Sequence, residues 1–171
     1  TVGYEHVDWK HAREIGIPVS NVSYTPHTVA EYTVMAMLMA VRRMKTIVTR
    51  YQVQDYSLLK VRGRELCRMT VGVVGTGQIG ETVIRNLSGF GCRILANDVC
   101  EKEAVKELAA YTDLETIWRE CDIVTFHTPA LPETYHLVSR ESLAKMKPGV
   151  VLINMARGSI IDTEALIEAL E

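Results

Sequence analysis

The stretch VGVVGTGQIGETVI, residues Val71 to Ile84, decides the fold. It begins as a short apolar run typical of a buried strand and continues as a helical pattern. Gly75, Gly77 and Gly80 stand at the junction. Glycine loses more backbone freedom on folding than any other residue, so three of them at one turn indicate a place where the backbone must stay bare.

The same alternation continues from this stretch along the chain. Continuous apolar strands alternate with helical patterns of about ten residues, which predicts βαβ crossovers and a parallel sheet with helices on both faces. The predicted fold class is therefore α/β, a Rossmann-type doubly wound parallel sheet. The predicted strands are 71–74, 93–96, 110–111, 123–127 and 150–154, and the predicted helices are 78–90, 101–109, 114–120, 139–146 and one capped by Asp162.

Composition narrows the possible functions. The chain has 171 residues, which suits one domain, and a net charge of −2, which provides no broad basic field for nucleic acid. Its longest apolar run is too short to span a bilayer, which needs about 20 residues, so we expect no membrane segment. The four cysteines lack metal-ligand spacing, which predicts no metal site and favours free thiols in a cytoplasmic protein.

That apolar run, Val34 to Val41, lies within a segment from Tyr32 to about Arg50 that we predict to be one long helix. A helix that is apolar on every side is normally buried on every side. Periodicity leaves two interpretations open, a central core helix or a subunit interface. In the second, the flexible contacts would be Met35, Met37, Met39 and Met44.

The three glycines match the spacing G-x-G-x-x-G of a turn that binds a dinucleotide. We expect Gly75 to make the turn, Gly77 to let a pyrophosphate approach, and Gly80 to let the helix pack on the strand, with the helix amides facing the phosphates. Asp98 ends the next predicted strand, 18 positions after Gly80. A carboxylate there accepts hydrogen bonds from ribose hydroxyls and repels a 2′-phosphate, so NAD is favoured over NADP as cofactor.

Three other charged or titratable residues lie near the predicted dinucleotide turn or follow a predicted strand, and each has a functional and a structural interpretation. Glu81, in the first helical turn, would weaken phosphate binding unless it faces away. His127 precedes Thr-Pro, and a histidine in that position more often shapes a loop than takes part in catalysis. Arg157 follows the last predicted strand, where a planar guanidinium could bind a small carboxylate through two parallel bonds; pairing with a surface carboxylate is the alternative.

The sequence resembles the NAD-dependent D-isomer-specific 2-hydroxyacid dehydrogenases, and looks closest to the D-lactate dehydrogenases and VanH-like 2-oxoacid reductases among them. The resemblance runs nearly from end to end. It is carried by TVGYEHVD, TPHTVAEYTVMAMLMAVR, RGRELCRMTVGVVGTGQIG, FHTPALPET, MKPGVVLINMARGSIID and ALIEAL. VanH-like members tend to lack the acidic ribose residue, whereas this chain keeps Asp98.

This resemblance implies a role for each matching position. Arg157 looks like the catalytic arginine that binds and polarises a 2-oxoacid, and the backbone around Val2 and Gly3 looks like the stretch that faces the substrate carboxylate. The implied cofactor-binding residues run from the pyrophosphate loop to the nicotinamide ribose: Gly75, Thr76, Gly77, Gln78, Ile79, Gly80, Asp98, His127, Thr128, Pro129, Asn154, Met155 and Ala156.

The family's proton donor is a histidine paired with a glutamate, and neither matches a position in residues 1–171. The resemblance therefore implies an NAD-binding domain excerpted from a longer chain, inactive alone. It also implies that the substrate domain lies elsewhere and that a homodimer forms through the helix from Tyr32 to about Arg50. The implied reaction is hydride transfer between NAD(H) and a small D-2-hydroxyacid or 2-oxoacid such as lactate or pyruvate. An NAD-sensing, non-catalytic module on the same fold is the alternative; a methyltransferase is disfavoured by INMARG.

Overall fold

The computed structural model describes residues 3, 6–22, 25–57, 59 and 61–171. Within them, five strands form one sheet in the order β3-β2-β1-β4-β5, and all neighbouring pairs are parallel. This confirms the predicted α/β class. The strands are β1 (Thr70–Val74), β2 (Arg93–Asn97), β3 (Ala110–Tyr111), β4 (Ile123–Phe126) and β5 (Val151–Asn154).

The helices precede and connect these strands. They are α1 (Trp9–Glu14), α2 (His27–Val41), α3 (Met44–Gln52), α4 (Gln78–Ser88), α5 (Glu103–Lys106), α6 (Leu114–Glu120), α7 (Arg140–Lys145) and α8 (Thr163–Leu170). Short 3₁₀ turns span Leu66–Arg68, Pro132–Thr134 and Gly158–Ile160. No helix in the described part of the chain is long and apolar enough to cross a bilayer.

The strands are apolar on both faces because each face of the sheet has its own core. Along β1, Val71 and Val73 pack in the cluster that contains α2 and α4, whereas Val74 packs in the cluster on the opposite face. That second cluster includes Trp118 of α6 and Phe126 of β4. Successive side chains of a strand point to opposite faces, so a continuous apolar run is what a sheet covered on both sides requires.

The single long helix predicted from Tyr32 to Arg50 is wrong, because the chain forms α2 and α3 with a break between them. Arg43 adopts a left-handed conformation, with φ of 54°. The carbonyl oxygen of Val41 accepts a hydrogen bond from the amide of Arg64 at 2.9 Å. A distant segment has thus taken an acceptor that would otherwise continue the helix, and the helix ends there.

The two sides of α2 differ in burial within the described chain, and burial of the second side by another surface stays a prediction. One face of α2 is buried against α4 through Ala30, Val34 and Met37, and Met37 is fully inaccessible. Met37 is therefore a core residue and not an interface contact. The opposite face exposes Met35 and Met39 by 44% and 46%, so the described residues cover only one side of the helix.

The helix predicted over 101–109 is shorter in the structure, where α5 covers only Glu103–Lys106. Lys102 is extended, and its amide donates to the hydroxyl of Tyr111 at 3.1 Å, so the chain enters the helix later than the pattern indicates. Helix α4 likewise ends at Ser88 rather than at Phe90, because Gly89 and Gly91 follow. Asp162 caps α8 as predicted, accepting from the amides of Glu164 and Ala165.

Four neighbouring strands end in a row at one edge of the sheet. The amide of Gly75 donates to the carbonyl of Asn97 at 2.8 Å, and the amide of His127 donates to the carbonyl of Val74 at 2.8 Å. The amide of Met155 continues the row by donating to the carbonyl of Phe126 at 3.3 Å. Ligands of open parallel sheets bind at this edge, where the strand order reverses, here between β1 and β4.

Candidate functional site

The loop after β1 is shaped by a glycine that no other residue could replace. Gly75 has φ of +91°, a conformation that side chains strongly disfavour. A Cβ atom built on it would lie 2.8 Å from the carbonyl carbon of His127 and 2.9 Å from the amide nitrogen of Thr128. Gly75 therefore holds the glycine loop directly against the loop that follows β4.

The other two glycines have contrasting surroundings. A Cβ atom on Gly80 would fall on the carbonyl oxygen of Gly75, so the first turn of α4 is pressed onto the loop. A Cβ atom on Gly77 would meet nothing within 4 Å, and Gly77 is exposed. Bare backbone with open space at the amino end of a helix fits a pyrophosphate, which binds to helix amides and to the positive helix end.

Asp98 lies beside this loop, one residue after β2. Its Oδ2 accepts from the Thr76 amide at 2.5 Å and from the Thr76 hydroxyl at 3.2 Å, while its Oδ1 accepts from the Cys100 amide at 3.0 Å. Partial burial raises the pKa of Asp98, but the hydrogen bonds from Cys100 and Thr76 outweigh burial and lower the pKa below its usual value. The carboxylate is thus ionised at neutral pH and half-buried, as an acceptor for ribose hydroxyls should be.

Tyr111 stands at a strand end on the predicted ligand side of the sheet, but the sequence pattern assigned it no specific role. Its hydroxyl lies 2.7 Å from the Thr76 hydroxyl and accepts from the Lys102 amide at 3.1 Å. It therefore ties the glycine loop to the loop after β2, with Asp98 held between them. Its position at the end of β3 is the signal that could have identified it, since polar residues at that edge face the ligand.

The loop after β4 contributes His127, Thr128 and Pro129. His127 is half-buried, and burial of its ring lowers its pKa to about 4, so the imidazole is neutral at physiological pH and a poor proton donor. Its Nε2 lies 3.0 Å from the hydroxyl of Thr125, which anchors the ring in the fold. The carbonyl of Pro129 accepts from Thr134 at 2.7 Å, which fixes the far end of the loop.

Two buried polar atoms on this loop have no hydrogen-bond partner within the described structure: Nδ1 of His127 and Oγ1 of Thr128. Buried polar groups are nearly always hydrogen-bonded, so such atoms next to the glycine loop indicate a place for a polar ligand or a water molecule. They add to the open backbone at Gly77 and the ionised Asp98. All three features fit a dinucleotide lying along the strand ends.

Glu81, in the first turn of α4, is paired with two cations, which answers the difficulty that its position raises. Its Oε1 accepts from Arg85 at 2.9 Å and its Oε2 from Lys102 at 3.0 Å. Arg85, and after it Lys102, hold the pKa of Glu81 below its usual value. The charge near the helix end is therefore balanced by two cations.

The loop after β5 carries Arg157, which is exposed. The side chain of Asn154 is used within this loop: its Oδ1 accepts from the Ala156 amide at 3.0 Å and its Nδ2 donates to the Arg157 carbonyl at 2.7 Å. The guanidinium of Arg157 donates to the Ala156 carbonyl at 2.9 Å. Asn154 thus fixes the turn from which Arg157 emerges, next to the half-buried Met155.

The remaining sequence-predicted residues lie at the two ends of the site. Gln78 is exposed and Ile79 half-buried in the first turn of α4. Gly3 is half-buried near the start of the chain, whereas Val2 lies outside the described residues. Among the described residues, no group of three or more His, Cys, Asp and Glu side chains could hold a metal ion.

Fold and site together define a dinucleotide-binding α/β domain. Comparison with known families is more specific: the profile of the D-isomer specific 2-hydroxyacid dehydrogenase, NAD binding domain, matches residues 34–171. The chain therefore belongs to this family as its NAD-binding domain. The D-specific alpha-keto acid dehydrogenase of Enterococcus faecium is 44% identical over 171 residues, which are 100% of this chain and 52% of that protein.

Solved structures agree with this assignment. The apo-structure of D-lactate dehydrogenase from Escherichia coli superposes with a TM-score of 0.94 at 39% identity, covering 99% of this chain and 54% of that one. D-lactate dehydrogenase from Aquifex aeolicus, complexed with NAD and lactic acid, gives a TM-score of 0.91 at 39% identity, covering 99% and 52%. The chain thus spans about half the length of the relatives that it matches.

Gly80→Ala should destabilise the domain, because the added methyl would displace the Gly75 carbonyl or move α4. Overpacking of this kind costs about 1–3 kcal/mol in the free energy of unfolding. Gly89→Ala is the matched control, since its Cβ would lie 3.8 Å from the nearest atom and its φ is −68°. Thermal denaturation of both variants tests the contact, and equal melting temperatures would contradict it.

Asp98→Ser should weaken NADH binding by tenfold to a few hundredfold, because charge-assisted hydrogen bonds to the ribose contribute roughly 1.5–3 kcal/mol each. Discrimination against NADPH should fall at the same time. Fluorescence titration measures both affinities. Asp55→Ser removes an exposed carboxylate from the segment after α3 and serves as the control. NADH affinity that falls no further in Asp98→Ser than in this control would remove Asp98 from the site.

Proposed function

We propose that this domain serves an oxidoreductase that transfers a hydride between NAD(H) and a small D-2-hydroxyacid or 2-oxoacid, with lactate and pyruvate as the simplest pair. The observation that carries the proposal is the order of groups along one sheet edge. The glycine loop and Asp98, which suit a dinucleotide, follow β1 and β2, and Arg157, which suits a carboxylate, follows β5.

In this proposal the first turn of α4, from Gly77 to Gly80, binds the pyrophosphate through backbone amides. Asp98 binds the hydroxyls of the adenosine ribose. The loop 127–129 lines the adenosine half, and residues 154–156 lie near the nicotinamide ribose. When bound, NAD(H) supplies or takes up the hydride. The chain's own part is to bind and orient both reactants, since the low pKa of His127 leaves its imidazole neutral and a poor proton donor at neutral pH.

Arg157 is proposed to bind the carboxylate of the oxoacid and to stabilise the negative charge that develops on its C2 oxygen. A guanidinium presents parallel donors that match a carboxylate, and its charge persists at any pH of interest. Preorganised donors contribute most when they are aimed at developing charge. Asn154 supports this role indirectly, because its two hydrogen bonds hold the turn that carries Arg157.

The remaining parts of the active site are proposed to lie in the rest of the complete protein. These parts are a substrate domain and a proton donor made of a histidine paired with a glutamate. Val2 and Gly3 are proposed to face the substrate carboxylate with their backbone. On this proposal the 171-residue chain binds NADH and reduces no oxoacid.

A homodimer in the cytoplasm is proposed for the complete protein. The support for a dimer is the exposed apolar face of α2 and α3, where Tyr32, Met35 and Met39 stand near a groove lined by Leu38 and Met44. Monomeric proteins rarely leave such a face open to water. The four unpaired cysteines support the cytoplasm, and the net charge of −2 argues against nucleic acid as a partner.

Arg157→Lys in the complete protein should lower kcat/KM for pyruvate by roughly a hundredfold or more, because a lysine keeps the charge but loses the forked donors. NADH affinity should change by less than about threefold, since the guanidinium is not proposed to contact the dinucleotide. Steady-state kinetics on pyruvate and two bulkier 2-oxoacids, beside an NADH titration, give both values.

Arg140→Lys is the matched control, because Arg140 forms a surface ion pair with Glu168 at 2.6 Å. It should leave both values unchanged. Parental turnover by Arg157→Lys on every accepted oxoacid would make Arg157 a surface arginine. A complete parent protein that binds NADH and reduces none of the oxoacids would instead favour an NAD-sensing module.

The chain should sediment as a dimer at micromolar concentration, and Met39→Glu should convert it to a folded monomer, because a buried charge without a partner is costly at an apolar interface. Ile167→Glu is the control: Ile167 is 52% exposed on α8, away from α2, and should leave the dimer intact. A soluble monomeric parent would exclude the interface.

A further inference from the structure

The ion pair between Glu81 and Lys102 joins the first turn of α4 to the segment after β2. Glu81 Oε2 lies 3.0 Å from Lys102 Nζ, and Glu81 Oε1 lies 2.9 Å from Arg85 Nη2. The side chains of Glu81 and Lys102 are 24% and 38% exposed, so the pair stands at the surface without being fully solvated. The proposed binding roles of the site do not use it.

This pair is linked to the candidate ribose acceptor, Asp98, through the backbone of Lys102. The backbone amide of Lys102 donates to Tyr111 at 3.1 Å, Tyr111 lies 2.7 Å from the Thr76 hydroxyl, and that hydroxyl donates to Asp98 at 3.2 Å. Three short hydrogen bonds therefore connect the backbone of Lys102 to the carboxylate of Asp98. The ammonium of the same lysine is held at the first turn of α4 by Glu81.

We propose that Glu81 is a second determinant of cofactor specificity: it withholds the Lys102 ammonium from the 2′ position of the adenosine ribose. Asp98 repels a 2′-phosphate directly, and Glu81 keeps occupied the cation that could attract one. This inference rests on the proposed dinucleotide site. It concerns the choice between NAD and its 2′-phosphorylated form.

The charges on the surrounding elements agree with this assignment. Along the segment after β2 the cations are Lys102 and Lys106, and Lys106 is paired with Glu101 at 3.1 Å and with Glu103 at 2.9 Å. Arg85 is one helical turn further from the glycine loop than Glu81, and both its Nε and its Nη2 contact the same Glu81 oxygen. Among these three cations, Lys102 is the one whose backbone belongs to the hydrogen-bonded network around Asp98.

Removing the Glu81 carboxylate should free Lys102 to form charge-assisted hydrogen bonds with a phosphate that carries about two negative charges. It also removes a negative charge near the amino end of α4, which favours the pyrophosphate of either dinucleotide equally. The ratio of the NADPH and NADH affinities separates the two effects, because the pyrophosphate contribution cancels in it.

The test measures dissociation constants of NADH and NADPH by fluorescence titration for the parent, Asp98→Ser, Asp98→Ser with Glu81→Gln, and that double variant with Lys102→Met. Adding Glu81→Gln to Asp98→Ser should raise the NADPH preference roughly tenfold, and adding Lys102→Met should remove most of that gain. Glu103→Gln in the Asp98→Ser background makes the same charge change in α5 instead of α4. It should alter the ratio of the NADPH and NADH affinities less than about twofold.

A gain that persists with Lys102→Met, or that Glu103→Gln reproduces, would overturn the inference, as would equal strengthening of both dinucleotides by Glu81→Gln. A parent that binds neither dinucleotide contradicts the site itself. If the parent binds NADH but Glu81→Gln leaves the ratio of the NADPH and NADH affinities unchanged, only the role of Glu81 is contradicted. Thermal melts within a few degrees of the parent confirm that each variant is folded.

Discussion

The contact between the Cα of Gly80 and the carbonyl oxygen of Gly75 is the constraint on which the site depends. No side chain fits between the two, so α4 begins directly on the loop that it follows. Gly75 is in turn wedged against the backbone of His127 and Thr128. Strand β1, helix α4 and the loop after β4 are therefore fixed relative to one another by backbone contacts, which vary far less than contacts between long side chains.

A polar network extends this fixed centre toward β2 and β3. Asp98 is held by Thr76, and Thr76 is held by Tyr111, through hydrogen bonds between 2.5 and 3.2 Å. Because hydrogen bonds to a charged acceptor are stronger than neutral ones, the ionised Asp98 organises this network as well as being the proposed acceptor for a ribose. The hydrogen bonds that Asp98 accepts from Thr76 and Cys100 both hold its carboxylate in place and keep it ionised.

Local patterns predicted the parts of the fold that local interactions determine. Strand β3 and helix α6 have the predicted bounds, and Asp162 caps α8 as expected. The break between α2 and α3 could not be predicted in this way, because it depends on the Arg64 amide reaching the Val41 carbonyl from a distant segment. Met37 is buried and Met35 is exposed, although nothing in the apolar run distinguishes them. The difference arises because α2 packs one face against α4.

The residues of the candidate site divide in the same way, into those that local sequence predicts and those that only the folded sheet brings together. Spacing predicted the turn at Gly75 and the close helix packing at Gly80, which the structure shows, and it also predicted Asp98 as a ribose acceptor. Spacing assigned no specific role to Tyr111 or Lys102. Their roles arise only because β3 lies beside β2 and α4 begins near the end of β2, which is a property of the folded sheet.

The two ends of the sheet edge differ in how far they can act without the rest of the protein. The groups around Asp98 are half-buried and already hydrogen-bonded, so their electrostatic effect is established in the folded domain. Arg157 is exposed, and water and salt screen an exposed charge within about 8–10 Å. Its attraction for a developing oxyanion becomes strong only where water is excluded. On the proposed function, dinucleotide affinity therefore belongs to this domain, whereas the catalytic strength of Arg157 depends on whatever surface closes over the end of β5.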